Sequence, residues 1–208
     1  PFAASYYTLS PEGNGFSWAA GMDLKYGINE AYTLDMTLIP DFGQRKSDDL
    51  VLNLTPYEVR YRENRQFFTE GVELFNKAGL FYSRRIGRQP EDYWEVWNDL
   101  EENEEVIQNP QEAKLINATK VSGRSANDLG IGFFNAMTAD TYAEVRNPEN
   151  EVRRILTEPF RNYNMLVVDQ IIGRNSYVNL TNTNVYTPSG RGMDNVSAID
   201  FRFRDADN

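Results

Sequence analysis

Residues 15–40, GFSWAAGMDLKYGINEAYTLDMTLIP, alternate so strictly that few structures other than a two-faced β-hairpin can accommodate them. Phe16, Trp18, Ala20, Met22, Leu24 and Tyr26 share one face of the first strand, while Ser17, Ala19, Gly21, Asp23 and Lys25 share the other. In the second strand Tyr32, Leu34, Met36 and Leu38 oppose Thr33, Asp35 and Thr37. Two environments satisfy this pattern. A soluble β-sandwich alternates in this way, with its apolar side in the core. A transmembrane strand does too, needing about 9 to 11 residues, an apolar side toward lipid and aromatic residues near its ends. Phe16 and Trp18 at one end, and Tyr26 and Tyr32 at the other, suit such aromatic girdles. On the hairpin alone the sandwich is the commoner outcome.

Composition removes several function classes. The 208 residues include 31 acidic and 21 basic side chains, for a formal charge of −10, which disfavours nucleic acid as a ligand. No apolar run approaches the roughly 18 residues of a membrane helix, although barrel strands escape that test. Histidine and cysteine are both absent, so Ser-His-Asp and Cys-His machinery, disulfides and the usual zinc sites cannot be built. Carboxylates suited to glycosidase chemistry are plentiful, but nothing separates Asp48, Asp49, Glu70 or Glu73 from structural partners of nearby arginines. Gly130-Ile131-Gly132 lacks the third glycine and the helix of a dinucleotide fingerprint. The chain is therefore expected to be non-enzymatic and to carry no cofactor. Four sequons begin at Asn53, Asn117, Asn179 and Asn195, the last three in or next to expected strands.

The punctuation predicts strands near 2–9, 15–27, 31–39, 113–122, 129–138, 163–172, 176–186 and 196–204. Gly130 and Gly132 within one of them signal a bend or a close backbone approach. Tight turns at 27–30, 123–128 and 173–176 fall on one end of an up-and-down arrangement, and longer connections at 40–112, 139–162 and 187–195 fall on the other. Outer-membrane barrels sort their loops like this, with short turns on the periplasmic side. Only the short loop at 11–15 breaks the rule. A Greek-key sandwich has no reason to sort them, so the two readings draw level.

A connection as long as 40–112 needs structure or a task. Thr55-Pro56-Tyr57-Glu58 reads as a capped helix start running to about Arg62. A second helix is expected from about Glu91 to Glu102, where Tyr93, Val96, Trp97 and Leu100 recur at helical spacing. Between them, 78–88 reads as an extended strand. Arg60, Arg62, Arg65, Arg84, Arg85 and Arg88 form a candidate guanidinium patch for an anionic sugar, a lipopolysaccharide phosphate or a partner carboxylate. Internal pairing with Glu63, Glu70, Glu73 and the acidic run Glu101, Glu102, Glu104 and Glu105 is the simpler account. That run lacks the spacing of a calcium loop.

YTLDMTLIPDFGQ at 32–44 and LNLTPYEVRYRENRQFFTEGVELFNKAGLFYSRRIGR at 52–88 resemble a domain-of-unknown-function family of Gram-negative outer-membrane proteins. LINATKVSGR at 115–124, LGIGFFNAMTADTYA at 129–143 and NSYVNLTNTNV at 175–185 extend the resemblance over most of the chain. Longer members of that family carry a family-9-type carbohydrate-binding module ahead of a β-barrel. The resemblance implies that residues 1–208 are the opening part of an all-β, antiparallel, up-and-down outer-membrane barrel, with a long, partly helical insertion at 40–112 that plugs or caps it. It offers no catalytic residues. The expected role is in the cell envelope of the bacterial outer membrane, in surface glycan or nutrient handling or as a scaffold. Outer-membrane lipid, the rest of the barrel or partner proteins, and a glycan are the expected partners. A soluble β-sandwich that binds or processes carbohydrate remains the alternative.

Overall fold

The computed structural model describes residues 1–10, 13–39, 60–188, 190 and 192–204. The expected helix start at Thr55–Glu58, Asp48, Asp49 and the first sequon lie outside them. Eight strands form one antiparallel sheet in the order β1(Phe2–Ser10), β2(Gly13–Gly27), β3(Tyr32–Leu38), β5(Leu115–Arg124), β6(Leu129–Thr138), β9(Arg161–Ile172), β10(Ser176–Thr187) and β11(Gly192–Arg202). These are the eight strands expected from alternation, joined as a meander. β5 lies about two residues further along than its pattern suggested, and β11 begins at Gly192. That early start shortens the expected 187–195 loop to a turn, so two of the four connections at the long-loop end are short. Among the described residues, β1 pairs with β2 alone and β11 with β10 alone, which leaves the sheet open.

Both long connections contain structure. β4(Glu105–Gln108), β7(Thr141–Arg146) and β8(Val152–Glu158) make a second, three-stranded antiparallel sheet. Only Ala139 and Asp140 separate β6 from β7, and only Pro159 and Phe160 separate β8 from β9, so β7–β8 prolongs the β6–β9 hairpin. Pro159 cannot donate to a ladder, and the Phe160 amide donates instead to Asp140 Oδ1 at 2.6 Å. The two sheets thus separate at that point.

The insertion is a string of single turns. Residues 60–65 are not helical, α1 spans Gln66–Thr69, and 3-10 turns occupy Lys77–Gly79, Ser83–Arg85 and Glu95–Asn98. In place of the strand expected at 78–88 stand 3-10 turns, and Gly79 and Gly87 adopt φ of 64° and 73°, a left-handed conformation that breaks extended backbone. The helix expected at Glu91–Glu102 shrinks to one 3-10 turn. Its start is tied sideways, with the Asp92 amide donating to the Thr157 carbonyl at 3.1 Å, and its second half is a run of like charges.

The main core lies between the large sheet and this insertion. Phe68, Leu74, Phe75 and Ile86 pack on Leu115, Ala118, Phe134, Ala136, Met165 and Val167. A smaller core joins Val96 to Ala143 and Val145. Gly130 and Gly132 permit the insertion to approach closely: a Cβ on Gly132 would lie 3.0 Å from Phe75 Cε1, and one on Gly130 would lie 2.9 Å from Leu74 Cδ2. Gly132→Val is expected to destabilise the packed insertion by about 1–3 kcal/mol through overpacking. Denaturant unfolding followed by the signal of the buried aromatic cluster checks this.

Candidate functional site: a polar sheet face filled by the insertion

Pairing fixes which side chains share a face. Asp35, Lys120, Phe134, Met165 and Thr183 form one continuous row on the side that the insertion covers, and Gly130, Asp169 and Asn179 form another. The opposite, uncovered side carries Trp18, Leu24, Phe133, Leu166, Leu180, Ile199 and Phe201, all exposed. The outward side is therefore apolar, while the covered side mixes the apolar core with buried polar and charged groups. Fully or nearly fully buried groups on the covered face include Lys120, Thr37, Asp169, Asn179 and Thr181.

Burial of such groups is costly unless they are hydrogen-bonded or paired, and all of these but Thr37, whose Oγ1 has no hydrogen-bond partner among the described residues, find partners. Lys120 Nζ donates to the carbonyls of Phe67 and Glu70, capping the C-terminal end of α1 where a cation is favoured. It also lies 3.9 Å from Asp35 Oδ2 and 4.4 Å from the centre of the Phe67 ring. From β2, Lys25 reaches Glu70 at 3.3 Å and Asp35 at 3.7 Å. On the other side of the insertion Asp169 accepts from Lys77 Nζ at 2.6 Å, from Asn179 Nδ2 at 3.3 Å and from Arg124 Nη2. The insertion is thus clamped at 67–71 by β2, β3 and β5, and at 74–77 by β6, β9 and β10.

The candidate arginines are divided by the fold. Arg65 is buried, donates to both Glu63 carboxylate oxygens and to the carbonyls of Ser83 and Ile86, and covers the Phe68 ring at 4.2 Å. Arg60 and Arg85 approach the Tyr82 ring at 5.4 and 5.7 Å. Arg88 pairs with Glu91, which also takes Arg161 at 2.6 Å, and Arg161 in turn lies 2.7 Å from Glu158. Arg84 is half-buried, and that burial pushes its guanidinium pKa down. Arg62 is exposed. The acidic run pairs elsewhere: Glu104 takes Arg153 at 2.5 Å, and Glu105 faces Arg146 at 3.6 Å. Sequence reasoning missed Lys77, Lys120, Arg124 and Asp169 as a set. Lys120, Arg124 and Asp169 share the covered side of their strands, but the contacts that join them to Phe67, to Lys77 and to one another span 45 or more residues of the chain.

Burial pushes the Glu63 carboxyl up, but bonds from Arg65 and Ser83 outweigh it and hold the pKa below the ordinary glutamate value. A depressed carboxylate contributes stability that is complete above its unfolded pKa and is lost as pH falls through the folded one. Amide protection of residues 60–88 is expected to stay level from pH 7 to about 5, and to fall below roughly pH 4. Hydrogen exchange across that range, with Glu63→Gln lacking the step, is the check.

The uncovered face has one polar strip. Asn135 Nδ2 donates to Asn164 Oδ1 at 2.8 Å and to Asn162 Oδ1 at 2.6 Å, Asn164 donates to Asn184 at 3.1 Å, and Asn182 donates to Asn195 at 3.0 Å. This ladder lies in the same hydrogen-bond row as Leu24 and Met36. Along β10 the apolar positions shift from Asn184 to Leu180 and Val178. The apolar band consequently crosses the rows obliquely.

One family model, described as a domain of unknown function (DUF5916), matches residues 1–208, and the chain belongs to that family. No curated protein and no solved structure matches it.

Proposed function

We propose that this member of the DUF5916 family is an arc of an outer-membrane β-barrel with residues 60–113 folded into its lumen, serving surface glycan or nutrient handling or scaffolding an envelope assembly. The observation that carries the reading is the band of exposed apolar side chains on the outward side of the large sheet, opposite a side that buries Lys120, Asp169 and Asn179. Apolar side chains facing out and hydrogen-bonded charges facing in are what a barrel wall requires. The oblique apolar band adds support, since strands tilted about 35–45° in a barrel carry a ring of constant depth across the hydrogen-bond rows. The covered face is packed by turns and short helices of the insertion, where a sandwich would supply a second sheet.

An open arc in lipid would strand the outer N–H and C=O groups of β1 and β11, so other strands or a partner complete the wall. No helix among the described residues is long and apolar enough to cross a membrane. The direct test is the behaviour of the purified protein. Recovery in the outer-membrane fraction and dependence on detergent are expected. A monodisperse monomer in plain buffer would overturn the reading in favour of a soluble carbohydrate-binding or carbohydrate-processing domain.

A further inference from the structure

Tyr93, Trp94 and Trp97 form an aromatic cluster on the surface of the small sheet, outside the clamp described above. The ring centroids lie 4.9 Å apart for Tyr93–Trp94, 5.7 Å for Tyr93–Trp97 and 5.6 Å for Trp94–Trp97. Trp94 is 68% exposed and Trp97 46%. Leaving two indoles in water forgoes the burial that usually places tryptophan inside. They are also held in place. On a 3-10 turn residues three apart eclipse, which aligns Trp94 with Trp97. Val96, fully buried against Ala143 and Val145, anchors the turn. Asn109 Nδ2 donates to the Tyr93 carbonyl at 2.9 Å, and the Asp99 amide closes the turn onto the Glu95 carbonyl at 3.2 Å.

The geometry points to a binding shelf for a neutral oligosaccharide built of pyranose rings with equatorial hydroxyls. The indoles of Trp94 and Trp97 are inclined by 30° at 5.6 Å, too close to lie side by side in one plane, so they stack with an offset and the more exposed Trp94 supplies the open ring face. A pyranose of that configuration offers a flat face of polarised C–H groups, which suits the negative face of an aromatic ring. Hydroxyls at its edge need polar partners, and Glu95 and Asn98, joined at 2.8 Å and both exposed, lie on the same turn. Charge narrows the class further. Residues 89–105 hold eight acidic side chains and no basic one. Arg88, Arg146, Arg153 and Arg161 match several of these, but Glu95, Glu101 and Glu102 remain exposed and keep the surroundings acidic. Anionic glycans and anionic lipid surfaces are repelled there. A cation cage is disfavoured as well: the rings are in mutual contact, which leaves no hollow between them for an ammonium group. This shelf stands on its own geometry and does not depend on whether the large sheet faces lipid.

The test uses the full chain, titrated with cellohexaose and xylohexaose while intrinsic tryptophan emission and calorimetric heat are recorded. Hexagalacturonate serves as the anionic comparison and deca-lysine as the cationic one. Saturable binding of a neutral hexasaccharide is expected, weakened at least about tenfold in Trp94→Ala and Trp97→Ala, as loss of an aromatic anchor implies. Trp97→Phe should recover much of it, and Trp18→Ala, on the large sheet, should bind as the parent does. Far-ultraviolet dichroism confirms that each variant is folded. Failure of both neutral hexasaccharides to bind, unchanged affinity in the two alanine variants, or preference for deca-lysine would each overturn the proposal.

Discussion

Leu180→Arg should prevent the protein from assembling in a membrane, whereas Asp23→Arg should be tolerated. Leu180 sits near the middle of the uncovered apolar band, between Val168 on β9 and Ile199 on β11. A guanidinium at mid-bilayer costs about 2–4 kcal/mol, a large part of a total stability of about 5–15 kcal/mol. Asp23 is exposed and lies on the polar face, paired across from Thr37, so a charge reversal there stays in water. In a soluble protein the ranking disappears, because an exposed Leu→Arg usually changes stability by less than about 0.5 kcal/mol. Folding yield into lipid vesicles, measured for both variants beside the parent, decides between these outcomes. Equal yields would refute the face assignment.

The oblique band adds a sharper comparison. Leu24 and Asn184 share a hydrogen-bond row but belong to different depths if the strands tilt. Leu24→Arg should therefore cost nearly as much as Leu180→Arg. Asn184→Arg should cost only about 0–1 kcal/mol, as expected near the interface. A flat sheet would instead give row-mates equal penalties.

What could be read from the chain follows from the length scale of each signal. The eight strands of the large sheet were legible because side-chain alternation is a local property, and Phe16 to Tyr26 or Ile199 to Phe203 display it without reference to the rest of the fold. Gly130 and Gly132 also announced a close approach, and Leu74 and Phe75 are what approach them. β7 and β8 were not legible as strands. Thr141, Ala143 and Val145 are small on the buried side, and Tyr142, Glu144 and Arg146 are mixed on the other, so alternation is faint until Val96 arrives from 45 or more residues away to complete the core. The Glu91–Glu102 pattern failed for a related reason. Its helical spacing was real, but the tether of Asp92 to β8 fixed the first turn before the period could repeat. Among the arginines, sequence supplied the charges but not their partners. Arg65 meets Glu63 two residues away, while Glu104 meets Arg153 across 49.

Asp169→Asn is expected to release the insertion from the sheet while leaving the strands paired. Asp169 is wholly buried and contacts both Lys77 of the insertion and Arg124 of the large sheet. An asparagine keeps the shape and one acceptor but leaves two cations facing each other across a neutral amide. Removing one partner from a buried ion pair costs about 3–5 kcal/mol. Lys77 and Arg124 keep roughly 30% of their side-chain surface, so the loss should fall near the lower end, about 3 kcal/mol. Hydrogen exchange should accordingly show residues 72–86 opening together, with β9 and β10 still protected by their ladder. Lys77→Met should open the same segment, and the double variant should cost less than the sum of the two single changes, since its surviving buried groups no longer carry an unmatched charge on the insertion. Strict additivity of the two would mean that Asp169 stabilises the large sheet alone and that the insertion is held by its apolar contacts.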